Sequence, residues 1–194
     1  MGFTQAELQR HAGEVVADLI GDDPRLVFVG INPGLWTAAA EAHFAHPGNR
    51  FYPALYLAGI TDREIDASGG YSPADVAHLE ERGIAITNIV DRATARADEL
   101  GREELERGAD ALRAKLAAWR PAVVAIVGIT AYRTAFGRRG ATAGEQEEDL
   151  AGARLWVLGN PSGLNAHETT GSLARAYRQP AEAAGIPLDP PRWR

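Results

Sequence analysis

Residues 26–34 have the sequence LVFVGINPG, in which a short apolar run stops at a glycine and a polar loop begins. Four consecutive residues rich in β-formers, ended by Gly30, predict a buried strand. The following loop places Asn32 and Pro33 between two glycines, so backbone amides there can approach a ligand closely. The Asn32 amide can both donate and accept hydrogen bonds. A tight turn after a strand is the simpler interpretation, and this stretch alone leaves both open.

The same pattern recurs along the chain. Further strands are predicted where apolar runs meet a glycine or a polar loop, at 84–90, 123–127 and 155–158. Helices are predicted at 4–20, 50–58, 73–82, 102–119, 130–136 and 170–184, with a turn or hairpin at 138–152. Helices that alternate with near-continuous apolar strands are typical of a mostly parallel sheet covered on both faces. We therefore expect an α/β fold whose ligands bind beyond the carboxyl ends of the strands.

The length of 194 residues fits a single domain spanning 1–194, with an N-terminal helix within 1–24 and an extended tail at 186–194. The chain has no cysteine, which excludes disulfides, thiolate catalysis and iron–sulfur clusters. The longest strongly apolar run, 122–127, is far shorter than a membrane span, and acidic residues interrupt any signal-peptide pattern near the N-terminus. We expect a cytoplasmic protein without membrane contact.

The net charge of −6 argues at first against a nucleic-acid partner, because the phosphate backbone requires local Lys and Arg. The charge is uneven, however: residues 61–110 carry −7, whereas residues 111–194 carry +4. All cations except Lys115 are arginines, which bind phosphates through a bidentate fork. We expect a small positive face on an acidic body.

A second polar loop follows the last predicted strand, where residues 160–165 have the sequence NPSGLN. Together with GINPG at 30–34, FAHPGNRF at 44–51, ITNIVDR at 86–92 and RRG at 138–140, it resembles the uracil-DNA glycosylase superfamily. Within that superfamily, the mismatch-specific uracil/thymine-DNA glycosylase branch is the most similar. The resemblance implies a three-layer α/β/α sandwich around a short parallel sheet, and the four strands predicted above make that sheet four-stranded and mainly parallel. It also implies an enzyme that flips a damaged pyrimidine from the duplex and hydrolyses the bond from sugar C1′ to base N1.

The resemblance assigns roles by position. Asn32 matches the residue that positions the attacking water, Ile31 lies on the pocket wall, and Phe44 matches the aromatic that stacks on the flipped base. Asn88 matches a position that reads the pyrimidine edge, and Thr37 a small hydroxyl position near C5 of the base. The loop that fills the gap in the duplex corresponds to Ser162, Gly163, Leu164 and Asn165. A leucine that folds back onto the core is the simpler interpretation of Leu164, against a wedge inserted into the base stack.

Charged residues near these motifs have two interpretations each. An amide such as Asn32 can orient water but cannot act as a general base, so turnover should be slow, and Asp91 is a candidate for the missing negative charge. A salt bridge or a cap is the simpler interpretation of Asp91. Phosphate contacts are considered for Arg50, Arg92 and Arg175, and above all for the pair Arg138 and Arg139, although each alone is more commonly a solvated surface residue.

The sequence therefore predicts a monofunctional DNA glycosylase of base excision repair, acting as a monomer on uracil opposite guanine in double-stranded DNA. Thymine opposite guanine or other damaged pyrimidines are left open as substrates. No metal or cofactor is expected, since His43 and His46 lack a third ligand at matching spacing. A Schiff-base mechanism is not expected, because Lys115 lies in a predicted helix away from the motif loops. The alternatives are a weakly catalytic or non-catalytic binder of damaged DNA and a hydrolase of free nucleosides.

Overall fold

The structure, a computed structural model, describes residues 2–193. Its centre is a sheet of five strands in the order β2-β1-β3-β5-β4. The strands are β1 (Leu26–Gly30), β2 (Ile84–Asn88), β3 (Val123–Val127), β4 (Gly144–Glu145) and β5 (Arg154–Leu158). Four of them are parallel, and β4 pairs antiparallel with β5. The predicted four-stranded sheet was thus one strand short, because two residues of the predicted hairpin at 138–152 are too few to form an apolar pattern.

Helices cover both faces of the sheet. They are α1 (Gln5–Gln9), α2 (Leu35–Ala40), α3 (Phe51–Leu57), α4 (Pro73–Glu81), α5 (Arg102–Trp119), α6 (Ile129–Ala135) and α7 (Thr170–Ala183), and a 3-10 turn lies at Ala97–Glu99. Alternate strand residues belong to two cores: Phe28 packs with α3 and α7, whereas Val27 and Val29 pack with α5 and α6. This alternation gives the layered α/β arrangement that the sequence predicts.

Local signals account for the best-predicted helices. The helix α5 has the predicted bounds, and its buried side chains Leu105, Ala109, Leu112 and Leu116 form one stripe. Ser72 forms a capping box with Asp75 at the start of α4, and Pro73 takes the first helical position, where a missing N–H costs nothing. Within residues 2–193, no helix has the length and apolar character needed to cross a bilayer.

The predicted N-terminal helix over 4–20 was wrong beyond its first turns. Thr4 does cap α1, but the helix ends at Gln9, and Gly13 takes a left-handed conformation with φ +84°. Leu19 then exchanges backbone hydrogen bonds with Ile86 of β2, at 3.0 and 2.8 Å. The segment therefore runs extended beside β2, because pairing with that exposed strand edge satisfies more backbone groups than continuing the helix would.

Arginine side chains fasten the C-terminal tail to the body. Arg192 donates to the carbonyls of Tyr56 and Thr61, at 2.7 and 3.3 Å, and Arg82 donates to those of Ile60 and Pro187. Between α7 and Trp193, where the described residues end, the chain forms no helix or strand. The position of the tail is therefore fixed by arginine side chains that hydrogen-bond to backbone carbonyls, and the rigid guanidinium can donate to two of them at once.

Candidate functional site

A cleft of about 830 Å³ opens beyond the carboxyl ends of the parallel strands. Loops after β1, β2 and β5 line it, so the motifs at 30–34, 86–92 and 160–165 contribute residues to one place. Eight of the predicted site residues line this cleft: Ile31, Asn32, Thr37, Phe44, Asn88, Ser162, Gly163 and Leu164. Four do not: Asp91, Asn165, Arg138 and Arg139.

Asn32 is held through its amide nitrogen. The two protons of Nδ2 are shared among three acceptors, Thr94 Oγ1 at 2.7 Å, the carbonyl of Arg92 at 3.0 Å and that of Pro33 at 3.1 Å. Thr94 in turn donates its hydroxyl proton to the Arg96 carbonyl. Because every contact is a donation from nitrogen, the amide orientation is fixed. Across residues 2–193, Oδ1 receives no hydrogen bond, so it can accept one from a bound water.

Phe44 has an unusual backbone. Its φ of +55° lies in the left-handed region, which bulky residues rarely adopt and which occurs preferentially at functional sites. Its ring stacks on Phe51, with centroids 4.1 Å apart and planes at 25°. Gly30 makes room beneath it, since a Cβ there would lie 3.3 Å from Phe44 Cζ and 2.5 Å from Asn88 Oδ1. The stack gives the cleft a fixed aromatic wall.

Asn88, at the end of β2, is 5% exposed and contacts His43. Its Nδ2 lies 3.3 Å from His43 Nδ1, and His43 Nε2 lies 2.9 Å from the Ala17 carbonyl. Burial lowers the pKa of His43, although the Ala17 carbonyl and the carboxylates of Asp18 and Asp91 oppose that shift. The imidazole is therefore neutral at physiological pH.

Two further predicted residues shape the cleft wall. The Ile31 carbonyl accepts from the backbone N–H of Val90 at 3.0 Å, and the Ile31 side chain packs so closely on Gly128 that a Cβ there would lie 2.8 Å away. Thr37 is buried on α2, beside Trp36, whose indole N–H donates to the Ser68 carbonyl. No helix was predicted between 21 and 49, so the sequence analysis missed α2.

The loop of residues 160–165, here called the rim loop, presents Leu164 to solvent with 93% of its surface exposed. The interpretation that Leu164 folds back onto the core was therefore wrong. Arg50 holds the loop: Nη1 donates to the carbonyls of Asn165 at 3.0 Å and Ser162 at 3.2 Å, and Nη2 donates to that of Gly163 at 3.3 Å. Arg50 is thus engaged with backbone oxygens, where a phosphate contact had been considered.

Asp91 forms a salt bridge outside the cleft. Both of its carboxylate oxygens lie 3.0 Å from Lys115 Nζ, which also contacts Asp18 and Thr87. These contacts match the simpler interpretation of Asp91. They also correct the expectation for Lys115: α5 brings this lysine against the end of a motif segment, although it does not line the cleft.

The arginines expected at phosphates have varied surroundings. Arg138 pairs with Glu148 beside a second, smaller pocket, and Arg92 forms a bidentate pair with Glu104 at 2.8 and 3.0 Å. Arg139 and Arg175 are exposed. Among the cleft-lining residues the cations are Arg50 and Arg96, and the exposed side chain of Arg96 pairs with Asp98.

Sequence reasoning missed several supporting residues. Tyr52 and Tyr71 bind the backbone of His43, and Thr94 completes the hydrogen bonds of Asn32. The contacts join residues far apart in the chain, so spacing within a motif could not reveal them. Over residues 2–193, no group of three or more His, Asp or Glu side chains could hold a metal ion.

Comparisons with known proteins agree with this geometry. The profile described as the Uracil DNA glycosylase superfamily matches residues 17–182. A solution NMR structure of a proposed uracil DNA glycosylase from Methanosarcina acetivorans superposes with a TM-score of 0.58 at 15% identity, covering 89% of this chain and 98% of that one. At that identity the likeness supports the fold, and the match of the profile supports the family. The chain belongs to the uracil DNA glycosylase superfamily.

Proposed function

We propose that this protein is a monofunctional DNA glycosylase that hydrolyses the N-glycosidic bond of uracil opposite guanine in duplex DNA. Membership in the superfamily supports glycosylase activity in general. One observation carries the finer assignment: the Asn32 amide, the Phe44 ring and the Asn88 amide line a single cleft, with the exposed Leu164 on its rim.

The proposed mechanism follows from these groups. Leu164 enters the base stack while the uracil leaves it, and the flipped base stacks on Phe44. Asn88 hydrogen-bonds the pyrimidine edge, and donors at the base oxygens stabilise the negative charge that develops on the leaving base. Asn32 Oδ1 accepts a hydrogen bond from water and directs its oxygen at sugar C1′, while the bond from C1′ to base N1 breaks and its electron pair leaves with the uracil. Since an amide accepts no proton, the proton of the water passes to the departing uracil anion or to solvent, and this step is slow.

Single-turnover release of uracil from a duplex with one G·U pair tests the proposal. We expect Asn32→Ala to slow release by roughly 100- to 1,000-fold, a typical loss for one positioned polar group. Gln146→Ala is the matched control: its amide also donates to two backbone carbonyls, but it lies outside the cleft. Duplex binding without any abasic product from the wild type would favour the non-catalytic binder instead. Cleavage of free deoxyuridine would favour the nucleoside hydrolase.

Asp91 has its own test within this proposal. Because Asp91 pairs with Lys115 and does not line the cleft, we expect Asp91→Asn to release uracil within about threefold of the wild-type rate. A loss of tenfold or more, with an unchanged melting temperature, would show instead that the Asp91 carboxylate supplies charge to the reaction.

A further inference from the structure

The amide of Asn88 can adopt two orientations that present opposite patterns to a base. In one, Oδ1 accepts from N3–H of uracil and Nδ2 donates to O4. In the other, Nδ2 donates to N3 of cytosine and Oδ1 accepts from its exocyclic amine. The side chain itself has no preference between them, so discrimination between uracil and cytosine requires a neighbour that fixes the amide.

His43 has the contacts to do so. The Ala17 carbonyl can only accept a hydrogen bond, so His43 Nε2, 2.9 Å away, must carry the proton. In the neutral ring Nδ1 is then an acceptor, and it faces the Asn88 amide at 3.3 Å. Only the NH₂ group can hydrogen-bond to that lone pair, because rotating the amide would set Oδ1 against it.

The histidine is itself immobilised. Its backbone N–H donates to Tyr71 Oη at 3.1 Å, and its carbonyl accepts from Tyr52 Oη at 2.9 Å. The two hydroxyls lie 2.6 Å apart, and because the Tyr52 proton is already donated to the His43 carbonyl, Tyr71 Oη donates to Tyr52 Oη and the network has one direction. His43 as a residue is 2% exposed, which keeps water from replacing its contacts.

We propose that His43 is a positioning residue that fixes the Asn88 amide in the orientation that accepts uracil and rejects cytosine. This inference rests on the proposed function, since it assumes that Asn88 meets the flipped base. Asn88 Oδ1 lies on the side of Gly30, whose missing side chain leaves it room. The second proton of Nδ2 and the lone pairs of Oδ1 then form the edge offered to the base.

A double-mutant cycle on uracil release from the G·U duplex tests the inference. We expect His43→Leu, which has no acceptor, to slow release by about five- to tenfold, the net worth of one hydrogen bond. His43→Gln should recover most of that loss, because its amide can donate to Ala17 and accept from Asn88. In an Asn88→Ala background, His43→Leu should have no further effect. Equal losses in both backgrounds would overturn the inference.

A measurement on the wild type guards against unfolded variants. Nitrogen-15 NMR of the imidazole should show the proton of His43 on Nε2, and a proton on Nδ1 would overturn the inference whatever the variants do. Failure of the proposed function itself has a different signature, because the wild type would then release no uracil at all.

Discussion

Arg50 offers the sharpest quantitative test of how the rim loop acts. Arg50→Met keeps most of the side-chain length but removes three hydrogen bonds to loop carbonyls, at 3.0, 3.2 and 3.3 Å. Each hydrogen bond contributes about 1 kcal/mol net, but these donor–acceptor distances are long for a charged donor. The substitution therefore removes roughly 1.5–3 kcal/mol of the free energy that stabilises the ordered loop. If an ordered loop is needed to insert Leu164, the same free energy raises the barrier. At tenfold per 1.4 kcal/mol, uracil release slows roughly 10- to 100-fold.

The assay compares single-turnover release from the G·U duplex with thermal unfolding. Because the loop can open while sheet and helices stay folded, we expect the melting temperature of Arg50→Met to fall by less than about 4 °C. Arg50→Lys should lose nearly as much activity, since one ammonium cannot span three carbonyls. Arg107→Met, an exposed arginine on α5, is the matched control and should release uracil at the wild-type rate.

A phosphate-binding Arg50 would give different results. Its removal would weaken binding to undamaged duplex and lower the dependence of log affinity on log salt concentration by about one unit. Arg50→Lys would then keep most of the activity. Either result would refute the assignment of Arg50 as the clamp of the rim loop.

Three further predictions concern the rim and the core. Leu164→Ala should leave the melting temperature unchanged, because the side chain is 93% exposed, yet slow uracil release from duplex more than from single-stranded DNA, measured side by side. Gly163→Ala should also slow uracil release from duplex DNA, since a Cβ there would lie 2.5 Å from the Gly48 carbonyl oxygen. Gly140→Ala, which has open space around it, is the control. Burial lowers the pKa of His43, so the imidazole binds a proton more readily in the unfolded chain than in the folded one. The free energy of unfolding should therefore decrease as pH drops below about 6.5, the ordinary pKa of histidine. Denaturant titrations should show a smaller decrease for His43→Gln.

Local pattern was enough to predict most of the fold. The parallel strands β1, β2, β3 and β5 were found because buried strands are continuous apolar runs, and α5 because its leucines repeat at helical spacing. The N-terminal segment could not be predicted, since its conformation depends on the free edge of β2, a partner about 67 residues away in the register of Leu19 with Ile86. Tertiary pairing there outweighs helix propensity.

The candidate site was predictable to the extent that strand ends meet. Because Asn32 follows β1 and Asn88 ends β2, and these two strands are parallel neighbours, their proximity follows from topology alone. The partners that orient these two side chains do not follow from topology. The rim loop depends on Arg50, more than 110 residues earlier in the chain, and the orientation of Asn88 depends on His43, so neither contact leaves a trace in local spacing.

The arginines that fasten the C-terminal tail have a consequence for how the protein would search DNA. Arg82 and Arg192 are engaged with backbone oxygens, and Arg138 and Arg154 with carboxylates, so fewer of the chain's 20 cations are free than its composition suggests. Because few cations are free to neutralise phosphates, few counterions are released on binding, and the protein stays only briefly on undamaged duplex. We expect the protein to sample DNA by brief, scattered encounters rather than long slides, and to dwell where a weak G·U pair opens on its own.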